Sequence, residues 1–327
     1  VTGEVWAPGR VNLIGEHIDY YGLPVLPMAI RQRIRIRFRK RDDRRISAVS
    51  SPYGARAFEW TERLAPVAAG DWENYLRAAA QAVAGQWGTG CGVAAEIESD
   101  LPAASGLSSS SALIVAFTLC LLKANGKRAG FEELMDVLPE GEHFVGTRGG
   151  GMDHAASLAS REGCASLIRF APLSIAHIPI PRDWGFLVAH SLETAEKSGP
   201  ARDAYNAVRA SGDMAHANSE AQRVEEAVHA MQRGDAACFG RLLCESHISL
   251  RDRLHVSTPA LDRLVEAAMR SGALGARLTG AGFGGCAVVF ARRADLDGVR
   301  RGLIERFYAG RPEFVMEAEA GPGALES

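Results

Sequence analysis

The sequence predicts an α+β protein of two closely packed domains, and three observations lead there. The 327 residues are enough for one large domain or two ordinary ones. Strand-like and helix-like stretches are mixed, without the regular βαβ alternation of a parallel α/β sheet. The boundary between halves falls near Ser160, after a glycine-rich segment, which gives residues 1–160 and 161–327.

The elements follow in order. In Ile30-Arg-Gln-Arg-Ile-Arg-Ile-Arg-Phe-Arg the later residues alternate apolar and basic, so residues 25–39 read as a half-buried strand. The same arginines could be taken for a nucleic-acid patch, but strict alternation is what a solvated sheet face produces. Residues 72–83 read as a helix. Residues 93–98 read as a strand entering a glycine- and serine-rich turn. Residues 111–124 form a second helix, closed by Asn125-Gly126. In the second half, strands at 165–169 and 184–189 precede helical patterns at 201–210 and 219–232. A helix starting at Ser257-Thr258-Pro259 has Ser or Thr as its cap and Pro259 in its first turn, and Gly272 ends it. A last strand, 287–290, follows a glycine-rich loop.

Composition removes several function classes. Hydrophobic residues at 47% and charged residues at 23% are the balance of a globular protein. Lys+Arg 37 against Asp+Glu 39 leaves a net charge of -2, so no broad cationic field invites nucleic acid. The most apolar run, 112–122, is far shorter than the roughly 20 residues a bilayer requires. The N-terminus shows no basic region followed by an apolar core, so neither a membrane partner nor a secretory signal is expected. Cys91, Cys120, Cys164, Cys238, Cys244 and Cys286 include no CxxC pair. They suit small buried hydrophobes in a reducing cytoplasm better than a disulfide framework or a zinc site.

Four constellations carry chemistry. In Ala7-Pro-Gly-Arg-Val-Asn-Leu-Ile-Gly-Glu-His-Ile-Asp-Tyr, the polar groups of Arg10, Asn12, Glu16, His17 and Asp19 are crowded closely enough to bind several hydroxyls of one sugar. A polar loop with local turn bonds would show the same crowding. Leu101-Pro-Ala-Ala-Ser-Gly-Leu-Ser-Ser-Ser-Ser lies between a strand and a helix start, where small residues and a helix N-terminus favour phosphate. Its serines can also ligate Mg²⁺, and no Walker Gly-Lys-Ser/Thr follows. In Gly149-Gly-Gly-Met-Asp-His, Asp153 follows glycines that allow close backbone approach, or else simply caps a helix. Glu140 and Glu142 upstream are candidate metal ligands or plain surface glutamates. Gly280-Ala-Gly-Phe-Gly-Gly precedes a strand rather than following one, which disfavours a dinucleotide site and leaves a tight turn.

Together these segments resemble the galactokinase family of the GHMP kinase superfamily. Gly9-Arg-Val-Asn-Leu-Ile-Gly-Glu-His-Ile-Asp-Tyr is similar to the galactokinase signature, which has Thr where Ile18 stands, and Val25-Leu-Pro-Met-Ala-Ile continues it. Gly106-Leu-Ser-Ser-Ser is similar to the family's phosphate loop. Gly151-Met-Asp-His resembles its Met-Asp-Gln motif with His154 for Gln, and Thr279-Gly-Ala-Gly-Phe-Gly-Gly-Cys resembles its third motif. Trp72-Glu-Asn-Tyr, Ala204-Tyr-Asn-x-x-Arg, Glu245-Ser-His-x-Ser-Leu-Arg-Asp and Val256-Ser-Thr-Pro-Ala-Leu-Asp agree in the same order, so the likeness runs over residues 7–289.

The resemblance implies a two-domain α+β GHMP kinase fold with the active site in the inter-domain cleft. It implies phosphorylation of galactose or a related sugar at the anomeric C1 hydroxyl by ATP with Mg²⁺. A monomer or weak homodimer in the cytoplasm would be the acting form. Asp153 would act as base or orienter, steadied by Arg10. Glu16, His17, Asp19, Gly151 and Tyr205 would hold the sugar. Trp72, Ser105, Gly106, Leu107, Ser108, Ser109 and Ser110 would hold the nucleotide. Ser110 and Glu142 would hold the metal, with Glu142 preferred over Glu140 on the spacing of the related mevalonate kinases. The chain departs from the family by being shorter between residues 39 and 72 and after 157, and by the turn Tyr21-Gly-Leu-Pro24. Those departures leave open a related sugar, such as a uronic acid or amino sugar. Some members of the family serve as sugar-dependent sensors with little activity, so the resemblance also leaves open a catalytically weak sugar-sensing regulator, although the serine run and Asp153 are intact.

Overall fold

A computed structural model describes residues 2–102, 106–144, 146, 149–194 and 200–326, the side chains of residues 142, 143 and 200–202 excepted. The chain begins with strands β1 (Thr2–Ile14), β2 (Leu26–Lys40), β3 (Arg45–Ser50) and β4 (Gly54–Glu59). Helix α1 (Glu73–Trp87), strand β5 (Val93–Ser99) and helices α2 (Ser109–Ala124), α3 (Phe131–Phe144) and α4 (Met152–Ala159) complete the first half. Its sheet has the order β1-β2-β5-β3-β4, with β3 and β5 parallel and the other neighbours antiparallel.

The alternation in β2 does what the pattern predicts. Ile34, Ile36 and Phe38 are buried in the core. Arg35 and Arg37 lie on the opposite face, where they pair with Glu4 and Glu98 of the flanking strands. Two of the arginines are thus paired within their own sheet, and Arg31 pairs with Glu162 and Glu319 outside it. Helix α2 is apolar on nearly every side because it is packed both on β1 and β2 and against α1.

The second half opens with a hairpin, β6 (Cys164–Phe170) and β7 (Leu173–Pro179), tied to the first sheet by the bridge Val25–Ile168. Then come β8 (Trp184–His190), α5 (Pro200–Ser211), α6 (Met214–Arg233), α7 (Ala236–Asp252) and α8 (Pro259–Arg270). Strands β9 (Gly275–Thr279) and β10 (Cys286–Arg292), helix α9 (Leu296–Arg306) and strand β11 (Val315–Glu317) follow. The sheet order is β11-β8-β10-β9, all antiparallel. Thr258 caps α8 by accepting the Leu261 N–H, with Pro259 in the first turn, as the sequence leads one to expect. Helices α8 and α9 cover one face of this sheet. The other face packs against α7 and joins the core of the first half, so one apolar cluster contains Ile34, Phe117, Trp184, Phe239 and Phe290. The last residues return to the first half: Gly321 donates to Ala29 O, Gly323 to Ser160 O and Ala324 to Ser157 O.

Three readings are corrected here. The polar stretch from Ala7 is the inner end of strand β1, not a loop, as far as Ile14. The glycine-rich loop at 280–285 both follows and precedes a strand, and because β9 and β10 are antiparallel it is still no dinucleotide turn. All six cysteines are free, but only Cys120, Cys164 and Cys286 are fully buried. Among the described residues no helix is long and apolar enough to cross a membrane.

Candidate active site

Strand β1 carries Arg10 into the space between α4 and the loop before α2. Arg10 is 3% exposed. Its Nε and Nη2 both lie 2.7 Å from Asp153 Oδ1, and its Nη1 donates to Gly106 O at 2.7 Å. The planar guanidinium therefore joins the acidic group of one motif to the phosphate-type loop of another, a fork that lysine could not reproduce. Asp153 sits in the first turn of α4, and Gly151, at φ 98, occupies the cap position. Ser157 Oγ, one turn further on, donates to Pro8 O at 2.9 Å and holds α4 against β1.

The glycines before Asp153 serve a close approach, although the backbone they admit belongs to the protein. Gly150 N donates to Asp19 Oδ2 at 3.0 Å, and a Cβ on Gly150 would meet Asp19 C at 2.4 Å. Burial pushes the Asp19 carboxyl up to about 6, and the negative charges of Asp153 and Glu16 add to the shift. Burial likewise pushes the His17 imidazole down to about 4, so it is neutral near pH 7. Its Nε2–H donates to Ala281 O at 3.0 Å, which leaves Nδ1 to accept from the Tyr20 hydroxyl at 3.1 Å. The Tyr205 ring of α5 stands 5.4 Å from His17 and 6.3 Å from Tyr20. His17, Asp19, Gly151, Asp153, Arg10 and Tyr205 thus converge on one region.

Glu16 is turned differently. It is 2% exposed, and its Oε1 accepts from Gly280 N at 2.5 Å, with Arg277 Nη2 3.7 Å away. One carboxylate oxygen is committed to the third glycine motif, so only the other can serve a ligand. That motif also braces the phosphate-type loop: a Cβ on Gly280 would meet Gly106 O at 3.0 Å, and one on Gly106 would meet Thr279 O at 3.2 Å. The two glycines let two loops pack backbone to backbone.

In the loop itself, Gly106 has φ 78 and Ser108 has φ 59, at the N-cap of α2. Ser108 Oγ is buried and has no hydrogen-bond partner among the described residues. A buried hydroxyl left open at a helix N-terminus suits an incoming anion oxygen. Leu107 is buried, and its carbonyl accepts from Arg10 N. Ser109 and Ser110 lie half-buried in the first turn of α2. Ser105 and the side chain of Glu142 lie outside the described residues, and Glu140 is exposed on α3. No cluster of three His, Cys, Asp or Glu among the described residues could cage a metal by itself. Mg²⁺ carried on nucleotide phosphates keeps several waters and asks for only one or two protein oxygens, so the Ser110 hydroxyl fits that role. Trp72 precedes α1, with its indole N–H donated to Tyr53 O at 3.2 Å and the Arg56 guanidinium 6.0 Å from its ring. The residue is 8% exposed, which leaves the indole little free face.

Two polar residues near the site, His216 and Glu220, escaped the sequence reading, and Arg277, at the head of the third glycine motif, was given no role there; all three are buried between the halves. A signal for Glu220 existed. It falls on the apolar stripe of α6 with Ala217, Val224, Ala227 and Val228, where a carboxylate needs a partner.

Known proteins resemble this chain over nearly its whole length. Residues 3–40 match the family description "Galactokinase galactose-binding signature", residues 74–161 match "GHMP kinases N terminal domain", and residues 227–309 match "GHMP kinases C terminal". The chain is 32% identical to a galactokinase of Roseiflexus sp., over 98% of this chain and 91% of that protein. It is 32% identical to the Homo sapiens galactokinase, again over 98% and 91%. The crystal structure of Lactococcus lactis galactokinase complexed with galactose superposes with a TM-score of 0.89 at 26% identity, covering 98% of this chain and 94% of that one. Methanococcus jannaschii mevalonate kinase, at 19% identity and a TM-score of 0.75, shares the fold over 98% and 99%.

Proposed function

The chain belongs to the galactokinase family within the GHMP kinases, and from that premise we propose that it transfers the γ-phosphoryl group of ATP to the anomeric C1 hydroxyl of galactose or a closely related sugar. Phosphorylation of a small molecule by ATP is the common activity of the GHMP kinases; the sugar and the C1 position are our reading. The observation that carries it is the Arg10 fork. Arg10 holds Asp153 on one side and Gly106 of the phosphate loop on the other, within one backbone hydrogen bond of the Asp19 segment through Gly150.

In this reading Asp153 accepts the proton of the C1 hydroxyl as its oxygen attacks phosphorus, and ADP leaves. Arg10 orients Asp153, and its positive charge lies beside the moving phosphoryl group. Asp19, His17, Tyr205, the Gly151 backbone and the free oxygen of Glu16 hold sugar hydroxyls. Main-chain N–H groups and hydroxyls of residues 105–110 hold the phosphates at the α2 N-terminus, with Trp72 beside the base. When bound with ATP, Mg²⁺ neutralises phosphate charge; Ser110 and Glu142 would hold it. Residues 1–160 and 161–327 form the two walls of the cleft, the returning tail apart. ATP consumption across a panel of free sugars tests the reading. Galactose should be the best common substrate, and turnover with no aldose would contradict it.

A further inference from the structure

The Glu245-Ser-His-x-Ser-Leu-Arg-Asp stretch of α7 has no part in the chemistry above, yet its inward side chains are all engaged. Ser246 Oγ donates to Glu220 Oε1 at 2.6 Å, and Ser249 Oγ donates to His216 Nδ1 at 2.8 Å. The two residues they hold reach across to the sugar-side segment. Glu220 Oε1 accepts from Gly15 N at 3.0 Å, and His216 Nε2–H donates to Glu16 O at 3.1 Å. Arg277 donates to Asn12 O and Leu13 O at 3.1 and 3.0 Å. None of these groups is proposed to touch sugar or nucleotide. All of them act on the backbone between Arg10 and Asp19.

Resting on the function proposed above, we propose that Glu220 is a positioning residue for sugar recognition, fixing Gly15 and thereby the aim of Glu16, His17 and Asp19. Glu220 is fully buried, and its second oxygen accepts from Arg223 Nε at 2.8 Å. Burial alone would raise its carboxyl, but Arg277 and Arg223 outweigh that and hold it below the usual range. The group is therefore a fixed charge. Gly15 has φ +105 and sits 3.0 Å, at the position of a missing Cβ, from Val25 Cα. No side chain at position 15 could replace the tether. Because the tether lies on the sugar side of Arg10, its loss should move sugar affinity and spare the nucleotide site.

The variants are Glu220→Ala, Glu220→Gln and Ser246→Ala, assayed well below each melting midpoint. Gln keeps an acceptor for Gly15 N–H, and Ser246→Ala removes only one of the groups that hold the carboxylate. Loss of a hydrogen bond to a buried charged acceptor is worth about tenfold in affinity. Glu220→Ala should raise the sugar KM by about that factor, leave the ATP KM within about twofold, and change kcat less than the sugar KM. Gln should restore most of the loss, and Ser246→Ala should fall between. In a second readout that needs no substrate, amide exchange over residues 13–18 should quicken in Glu220→Ala and much less in Glu220→Gln. Lower melting temperatures with an unchanged sugar KM, or equal rises in both KM values, would overturn the proposal, as would unchanged exchange. If the parent phosphorylates no galactose, that failure belongs to the function reading. The KM comparison then runs on whichever sugar the parent accepts, and the exchange result stands by itself.

Discussion

The sugar-side segment, residues 12–19, and the phosphate-side loop, residues 106–110, face each other across Arg10 but are built on opposite plans. In the first, backbone and charged groups are already paired with protein: the Asn12 and Leu13 carbonyls with Arg277, the Gly15 N–H with Glu220, Glu16 with Gly280 and His216, and Asp19 with Gly150; the Asn12 side-chain amide is an exception, buried with no partner among the described residues. In the second, Ser108 keeps a buried hydroxyl open, and the loop is braced by glycine packing and the Arg10 contact to Gly106. A neutral sugar offers many weak hydroxyl bonds, so its site gains by being set in advance. A phosphate brings its own charge and makes strong bonds wherever donors are left free.

Asp153 belongs to both sides through Arg10, so its substitution should have the largest effect. Asp153→Asn keeps the shape but cannot take a proton. It should lower kcat by about 10²–10⁴-fold while ATP still binds, as titration calorimetry would register. Turnover within a few-fold of the parent would reduce Asp153 to a structural group.

The glycines separate the two sides. Gly150→Ala puts a Cβ 2.4 Å from the Asp19 backbone, whereas Gly280→Ala forces a residue at φ 87 against Gly106 O. Strain at such a φ costs on the order of 1–3 kcal/mol, roughly five- to 150-fold, and the overlap at Gly150 must be relieved by moving the Asp19 backbone. Steady-state kinetics should place the first loss mainly on the sugar KM and the second mainly on the ATP KM. If both variants moved the same constant, the two plans would not be separate.

Asp19 gives a smaller and pH-dependent effect. As pH falls through about 6 the carboxyl takes up a proton, and the sugar KM should rise on that acid side and level off above about pH 7. Stability runs the other way. The folded-state pKa lies above the ordinary 3.8, so burial of the charge costs stability in full above about pH 6, and the cost is relieved as pH falls toward 4. Asp19→Asn should therefore raise the melting temperature at neutral pH while weakening sugar binding. A pH-independent sugar KM between 5 and 7 would show that the Asp19 charge does not take part.

Much of this was legible in the sequence, and the gaps have physical causes. β2 and α8 could be read because a two-residue alternation and a Thr-Pro cap are local signals. The inner end of β1 could not. Its Arg10 and Asn12 look like loop residues until Asp153, Gly106 and Thr279, from distant parts of the chain, supply their partners. The motif residues Arg10, His17, Asp19 and Asp153 were found by resemblance, and they do converge. Glu220 and His216 lie outside every motif, and their partners in the sugar-side segment, Gly15 and Glu16, are 205 and 200 residues away. The bracing role of Gly280 needed the loop it packs against.

The turn at Tyr21 should show the smallest effect. Tyr21 closes a short 3₁₀ turn, Asp19–Tyr21, followed by Gly22 at φ 74. Its ring lies 4.7 Å from Tyr20, and its hydroxyl donates to Arg209 O at 3.3 Å, so it is packed against α5 at the edge of the sugar region. Tyr21→Ala should raise the sugar KM only several-fold, alter the ranking of galactose analogues, and leave the ATP KM unchanged. An unchanged ranking would make the turn structural only.

The position of the transferred phosphoryl group is read directly by NMR of the product formed from galactose and ATP. The product should be an α-sugar 1-phosphate, its phosphate on the anomeric oxygen, seen as phosphorus coupling to H1 and C1. Phosphate on C6, with a free anomeric centre, would contradict it.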